Sequence, residues 1–363
     1  MPRQGSPQTR RRAAVPEWAC AVPRGFETVA AEEVRDRLEV AEVKTAPAEV
    51  SFATDEPFDP LVLRCVALCF RRVVSIPSAL GDRAGPRELL PQARRAVPAI
   101  LAAAGESRGA KLGRLRTLRV VTRMEAGYPY PRQHLKEKCE RELPPLLGRH
   151  YSLVEEGAGL ELWVTAGARR LTLDVRVSPE EHRSRAYKQE HVPGSLRPAA
   201  AACCVRYARP EEGEVFCDPF CGAGTIALER ASYGCMYAAI LAGDLDARAV
   251  SVSTVNFGPR HQPRLVARWD ARQLPLPARS VDVVVTNPPF GVKSPAADPA
   301  QLYTEAAAEI ARVLKRGGRA VFIAADRDLV SSATKETKAY RPDGLLNVEL
   351  QGRAATVTRY VRR

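Results

Sequence analysis

The amino-acid sequence predicts an α/β fold: a C-terminal domain built on a parallel sheet with an antiparallel terminal hairpin, preceded by two smaller α+β units. Three observations carry this. From Glu211 onward five short apolar runs recur, Val215–Cys217, Tyr237–Ala242, Leu265–Ala267, Val281–Thr286 and Ala320–Ala324, with helix-length segments between most of them. That alternation is the rhythm of parallel strands joined by crossover helices lying on both faces of a sheet. Two last runs, Leu345–Leu350 and Ala355–Val361, flank Gln351-Gly352-Arg353 and read as a hairpin that adds an antiparallel edge. Ahead of residue 181, strands and helices mix without such a period.

Taken in order, residues 1–14 form a disordered basic tail. Residues 15–84 form an α+β unit. It opens with a strand from Trp18 to Val22, and Gly25 then leads into a helix from Glu27 to Leu38 with apolar positions at Val29, Ala30, Val34 and Leu38. Val50–Ala53 reads as a strand and Leu61–Phe70 as a helix. Residues 85–180 repeat the mixture: a helix from Arg87 to Ala104, a strand over Thr117–Met124, a helix over Gln133–Leu147, and two strands, Gly159–Thr165 and Arg170–Val177. In the last of these Leu171, Leu173, Val175 and Val177 alternate with Thr172, Asp174 and Arg176, so one face is predicted apolar and the other polar. Residues 181–210 are a basic connector and helix, and 211–363 are the C-terminal domain.

Composition narrows the function classes. A chain of 363 residues, 45% hydrophobic and 27% charged, fits a soluble protein of two or three domains. The formal net charge of +13 predicts attraction to polyanions such as nucleic acid and says nothing about fold. There is no run of about 18 apolar residues, and the first residues lack the apolar core of a secretory signal, so a cytoplasmic location is expected. Nine cysteines are scattered through apolar stretches and read as buried free thiols. His134, His150, His182, His191 and His261 show no metal-ligand spacing, and neither a GxxxxGK[ST] phosphate loop nor an HExxH pair occurs. No metal is expected.

Four features carry chemistry. Asp218-Pro219-Phe220-Cys221-Gly222-Ala223-Gly224-Thr225 follows a predicted strand and precedes a predicted helix, Ile226–Ser232. Its glycines let backbone approach a ligand without a Cβ in the way, at the strand end where open α/β sheets bind ligands. Asp244 ends the next apolar run, 20 residues beyond Gly224, and Asp246 follows. A carboxylate there can accept from both hydroxyls of a ribose, while Asp246 also suits a helix cap. Asp270, followed by Ala271, ends the third run and could meet an adenine amino group, or serve as a turn residue. Val281–Thr286 runs into Asn287-Pro288-Pro289-Phe290. Prolines stiffen the turn, Asn287 offers an acceptor, and Phe290 offers a face for stacking. Together they suit gripping an amino group on an aromatic ring. Such an amine has its lone pair delocalised, so acceptors for both its hydrogens would direct that pair at an electrophile, and positioning would supply most of the acceleration.

The three motifs, DPFCGAGT, GDLD and NPPF in this order, resemble those of Rossmann-like methyltransferases acting on amino groups. More specifically the chain resembles THUMP-domain-containing tRNA guanine-N2 methyltransferases of the position-6 type. Pro23-Arg24-Gly25-Phe26-Glu27, Ser195-Leu196-Arg197-Pro198, Leu274-Pro275-Leu276-Pro277 and Asn287-Pro288-Pro289-Phe290-Gly291 carry that resemblance. It spans nearly the whole chain, specific in the last 170 residues and loose over 85–180. It implies a seven-stranded Rossmann-like domain over 211–363, preceded by a ferredoxin-like unit and a THUMP-like RNA-binding domain. It implies S-adenosylmethionine as cofactor, with Asp218, Phe220, Gly222, Gly224 and Thr225 near its methionine part, Asp244 and Asp246 at the ribose, and Asp270 and Ala271 at the adenine. Asn287 to Phe290 would then hold the target base, with Asn287 bordering the cofactor as well. Some relatives use a small activator subunit.

Arg108, Lys111, Arg114, Arg116, Arg119 and Arg123 cluster ahead of and within one predicted strand, and Arg183, Arg185, Lys188 and Arg197 lie in the connector. These cations are candidates for tracking RNA phosphates, sequence-blind and salt-sensitive; each is equally at home on a solvated charged face. The expectation is a monomeric tRNA guanine-N2 methyltransferase acting in the acceptor stem. The alternatives are the same chemistry on ribosomal or other structured RNA, an adenine-N6 methyltransferase, or a non-catalytic RNA-binding protein.

Overall fold

The structure is a computed structural model that describes residues 16–77, 85–106, 117–125, 128, 131–148, 151–167, 169–289 and 298–363. The basic tail and Arg108, Lys111, Arg114, Arg116 and Phe290 lie outside these residues.

The N-terminal half is organised by one eight-stranded sheet in the order β2-β3-β1-β4-β8-β7-β5-β6. Its strands are β1 (Glu17–Ala21), β2 (Val43–Ala46), β3 (Glu49–Ala53), β4 (Leu68–Pro77), β5 (Thr117–Met124), β6 (Ser152–Leu153), β7 (Leu160–Ala166) and β8 (Arg170–Arg176). The accompanying helices are α1 (Glu27–Arg37), α2 (Gly85–Arg95), α3 (Val97–Glu106), α4 (Arg132–Leu146) and α5 (Glu180–Ser184). The long strand β4 joins two parts: Leu68 to Arg72 pair with β1, and Phe70 to Pro77 pair with β8. Both pairings are antiparallel, so the first two predicted units share one continuous ladder.

Two sequence expectations are corrected here. Leu61–Phe70 is not a helix; Pro60–Val62 make one 3-10 turn, capped by the Asp59 carboxylate, and Leu68 starts β4. A short unbroken apolar run suits a strand buried on both faces as well as a buried helix, and here the strand won. Arg87–Ala104 divides into α2 and α3 at Ala96, just ahead of Pro98 in the first turn of α3. The polar face of β8 is covered: Thr172 and Asp174 are buried, with Arg72 donating to Asp174 at 2.9 Å and Thr172 donating to it as well.

The C-terminal half follows α6 (Pro198–Tyr207). Its strands are β9 (Glu214–Asp218), β10 (Tyr237–Asp244), β11 (Arg264–Arg268), β12 (Val281–Thr286), β13 (Leu314–Ala324), β14 (Tyr340–Leu350) and β15 (Arg353–Arg362). Its helices are α7 (Thr225–Ala231), α8 (Ala247–Phe257), α9 (Pro299–Val313) and α10 (Arg327–Glu336). The order is β11-β10-β9-β12-β13-β15-β14. The first five strands are parallel, and β15 lies antiparallel between β13 and β14. The order reverses between β9 and β12, leaving a crevice outside their carboxyl ends. Helix starts are written locally: Asp246, Asp298 and Asp326 cap α8, α9 and α10 with their side chains.

One apolar core runs through both halves. It joins Val29, Val34 and Phe52 of the N-terminal sheet layer to Cys203, Ile226, Val285 and Val357 of the C-terminal half. All nine cysteines are free thiols, buried except for half-buried Cys235. Among the described residues no helix is long and apolar enough to cross a membrane.

Candidate active site

A cavity of about 840 Å³ opens at the crevice between β9 and β12. Four strand ends build its walls. After β9 the chain turns through Pro219 to Gly224 into α7. Gly224 has φ +77°, and a Cβ there would meet Ser253 Oγ at 2.5 Å, so only glycine closes the turn against α8. Gly222 differs. At φ +51° it lines the cavity, and a Cβ would touch nothing within 4 Å. The space its missing side chain leaves belongs to the cavity.

The end of β10 is tied to this turn. Asp244 accepts from the backbone N–H of Gly222 and of Asp246, both at 3.0 Å, and Cys221 N–H donates to the Gly243 carbonyl at 2.9 Å. Gly243 makes room for Trp269, whose ring lies 2.1 Å from where a Cβ would stand. Trp269 Nε1 then donates to the Pro219 carbonyl at 3.2 Å, stitching the third strand end to the first. Asp270 and Ala271 follow on the wall. Both Asp270 oxygens take hydrogen bonds from Arg272, which hold the carboxylate below its ordinary range. Asp246 caps α8 by accepting from Arg248 N–H at 2.9 Å and also faces the cavity.

The fourth strand end carries Asn287-Pro288-Pro289. Tyr303 of α9 donates to the Pro289 carbonyl at 3.4 Å and steadies the turn. Burial pushes the Tyr303 hydroxyl up to about 12, so it stays a donor. Asn287 lines the cavity, yet its Oδ1 is buried with no hydrogen-bond partner among the described residues. A buried carbonyl oxygen without a donor costs on the order of 1–3 kcal/mol. Its position on the wall leaves it available as an acceptor to a group in the cavity.

Sequence reasoning placed Phe220, Gly222, Thr225, Asp244, Asp246, Asp270, Ala271, Asn287, Pro288 and Pro289 at a site, and all of them line this one cavity. Asp218 and Gly224 do not line it. Asp218 is fully buried; its Oδ1 accepts from Thr286 Oγ1 at 2.9 Å and Phe220 N–H at 3.3 Å, and its Oδ2 has no partner among the described residues. Burial, with the Asp244 charge added, pushes its carboxyl up to about 7. Sequence reasoning missed Asp298, Gln301 and Leu302 at the start of α9, and two wall segments that meet each other, Val192–Leu196 and the Leu350–Arg353 turn of the terminal hairpin. Gln351 Nε2 donates to the Ser195 carbonyl at 2.8 Å and joins them. The signal for the first was the Ser195-Leu196-Arg197-Pro198 segment; the second has no local signal, because it reaches the cavity only through the sheet order.

The predicted phosphate contacts separate. Arg183 and Arg197 are exposed, and Arg119 stands 3.9 Å from Glu161. Arg185 is corrected: it is 6% exposed, pairs with Glu229 at 3.4 Å and donates to the Arg64 carbonyl at 2.8 Å. A guanidinium so buried and paired is a structural brace. Lys188 is half-buried, with its Nζ donating to the Leu196 carbonyl at 2.9 Å.

Sheet order and crevice together define a Rossmann-like α/β domain that is open to a ligand at its switch point. Residues 185–356 match the family model of the RMKL-like methyltransferase domain. The tRNA (guanine(6)-N2)-methyltransferase of Thermus thermophilus is 31% identical over 195 residues, 49% of this chain and 52% of that protein. The tRNA (guanine(10)-N2)-dimethyltransferase of Methanothermobacter thermautotrophicus is 35% identical over 130 residues, 34% of this chain and 37% of that protein. The chain thus spans about half or less of the length of these curated relatives. The crystal structure of TrmN from Thermus thermophilus superposes with a TM-score of 0.76 at 22% identity, covering 96% of this chain and 100% of that one, which shows a shared fold through both halves.

Proposed function

We propose that this chain transfers a methyl group from S-adenosylmethionine to the exocyclic N2 of a guanosine in tRNA, in the acceptor stem. The carrying observation is the unpartnered Asn287 Oδ1 on the wall of the crevice. It is an acceptor waiting for a donor beside a stiff proline turn. The names of the two curated relatives support guanine N2 in tRNA over other amines, and the +13 net charge supports a polyanionic substrate.

The cavity residues fit the cofactor. The open Cβ position of Gly222 makes room for it, Asp244 and Asp246 present carboxylates for ribose hydroxyls, and Asp270 with Ala271 borders the adenine side. Phe220 and Thr225 border the methionine side. When bound, S-adenosylmethionine supplies an electrophilic methyl on a sulfonium. Asn287 Oδ1 and the Pro288 carbonyl accept the two amine hydrogens. That grip turns the nitrogen lone pair out of conjugation and toward the methyl, so the residues act by positioning. The Tyr303 bond to the Pro289 carbonyl keeps the grip in place. Water takes the proton released from the nitrogen after the new N–C bond has formed. The proposed setting is a monomer in the cytoplasm.

Incubation of the purified chain with labelled S-adenosylmethionine and either tRNA, ribosomal RNA or DNA tests this, with nucleoside mass spectrometry of the product. N2-methylguanosine in tRNA is the expected result. Label only in DNA, or only as N6-methyladenosine, would overturn it.

A further inference from the structure

We infer that Arg353, at the tip of the terminal hairpin, is a positioning residue that meets a phosphate of the RNA strand next to the target nucleotide. The inference rests on the proposed function and deepens it. The cavity wall carries four carboxylates, Asp244, Asp246, Asp270 and Asp298, and two cations, Arg272 and Arg353. Arg272 is spent: it holds Asp270 at 2.7 Å and also reaches Glu305. Arg353 is exposed and has no ion-pair partner among the described residues. A polyanion delivering a base into this acidic crevice is repelled by its walls, and among the described residues one uncommitted guanidinium is available on them to receive it.

The hairpin is braced as a positioning device needs to be. At its tip Gln351 donates to the Ser195 carbonyl across the cavity wall. Along its other side Glu349 N–H donates to the Arg24 carbonyl at 3.0 Å. Gly25, at φ +91°, packs so closely that a Cβ would stand 2.1 Å from the Asn347 carbonyl oxygen. The turn Pro23–Glu27 of the N-terminal half therefore sets the height of the hairpin, and the hairpin carries Arg353 to the cavity.

The test compares the wild type with Arg353→Ala and Arg353→Lys. RNA affinity is read by fluorescence anisotropy on a short guanosine-containing RNA across salt concentrations, cofactor affinity by calorimetry, and transfer by steady-state kinetics. For Arg353→Ala the expected result is an RNA Kd and KM raised about tenfold, with the log–log salt slope reduced by about one. Cofactor affinity stays unchanged, and Arg353→Lys recovers most of the loss. Unchanged Kd, KM and slope in Arg353→Ala overturn the inference. So does an equal loss in Arg353→Lys, because lysine retains the charge. Melting curves of both variants detect misfolding, and Arg353→Gln replaces the alanine variant if it melts early. Absence of transfer by the wild type with RNA binding and slope still dependent on Arg353 would strike the proposed reaction alone.

Discussion

Asn287 and Asp244 stand at two strand ends of one cavity, in different surroundings, and the proposed function gives them different work. Asp244 already serves backbone donors from Gly222 and Asp246, so its removal loosens the cofactor side of the crevice. Asp244→Ala is expected to weaken S-adenosylmethionine binding by about tenfold or more, since hydrogen bonds to charged groups contribute roughly 1.5–3 kcal/mol. Asn287→Ala is expected to cut kcat by about 10²–10³, the usual cost of one preorganised hydrogen-bonding group, with cofactor affinity nearly intact. Calorimetric titration beside single-turnover assays separates the two; parallel losses of cofactor affinity would defeat the assignment. Asp218 offers a pH test. Its folded value is about 7 against an ordinary 3.8. Below about 3.8 both folded and unfolded states hold the proton; between that value and about 7 only the folded state does, so its contribution to stability falls as pH rises through this window. Asp218→Asn removes that slope. The Tm of the variant relative to wild type should climb from about pH 4 to about pH 7, and a flat difference would count against the burial-driven shift.

At the scale of elements, the terminal hairpin is where a short motif of the N-terminal half has its effect. Pro23-Arg24-Gly25-Phe26-Glu27 is legible as a motif in the sequence, but its reason is not. The structure shows the Glu27 carboxylate accepting from Gly25 and Ala48 N–H groups, which holds the turn, while Gly25 lies against Asn347 and Val348 of β14. Gly25→Ala adds a Cβ against backbone at a left-handed φ. It is expected to cost about 2 kcal/mol or more and to raise the RNA KM by shifting the hairpin; urea melting and kinetics check this. The strands of the C-terminal sheet were legible because each apolar run is short and bounded, whereas β2 and β6 were not. Val43–Ala46 and Ser152–Leu153 are edge strands with little burial, so they carry almost no hydrophobic pattern to read.

For the whole molecule, the joint between halves is a buried ion cluster as well as a core. Glu229 of α7 is 1% exposed and accepts from Arg64 at 2.7 Å and from the Tyr187 hydroxyl at 2.6 Å, with Arg185 at 3.4 Å. Burial beside that carboxylate pushes the Tyr187 hydroxyl well up, so it remains a donor. Removing the carboxylate leaves two guanidiniums facing each other in the joint. Glu229→Ala is therefore expected to destabilise by about 3–5 kcal/mol and to open the connector over 181–197 to protease. Differential scanning calorimetry with limited proteolysis reads both, and an unchanged protease pattern would mean that the apolar core alone holds the halves together.

What the sequence by itself determined was which residues stand at each strand end. Asp218 to Thr225, Asp244, Asp270 and Asn287 to Pro289 are local words, each spelled by residues that must follow an apolar run, and their order along the chain already implied one sheet and one crevice. Tertiary structure decided what shares that crevice from far away. Only the strand order puts the turn of β14 and β15 beside Asn287, and only the packing of the connector against Glu229 turns Arg185 from a surface cation into a brace. The physical reason is range. Backbone propensity and hydrophobic period act over a few residues, while burial and pairing of charges depend on which distant surfaces come to cover them.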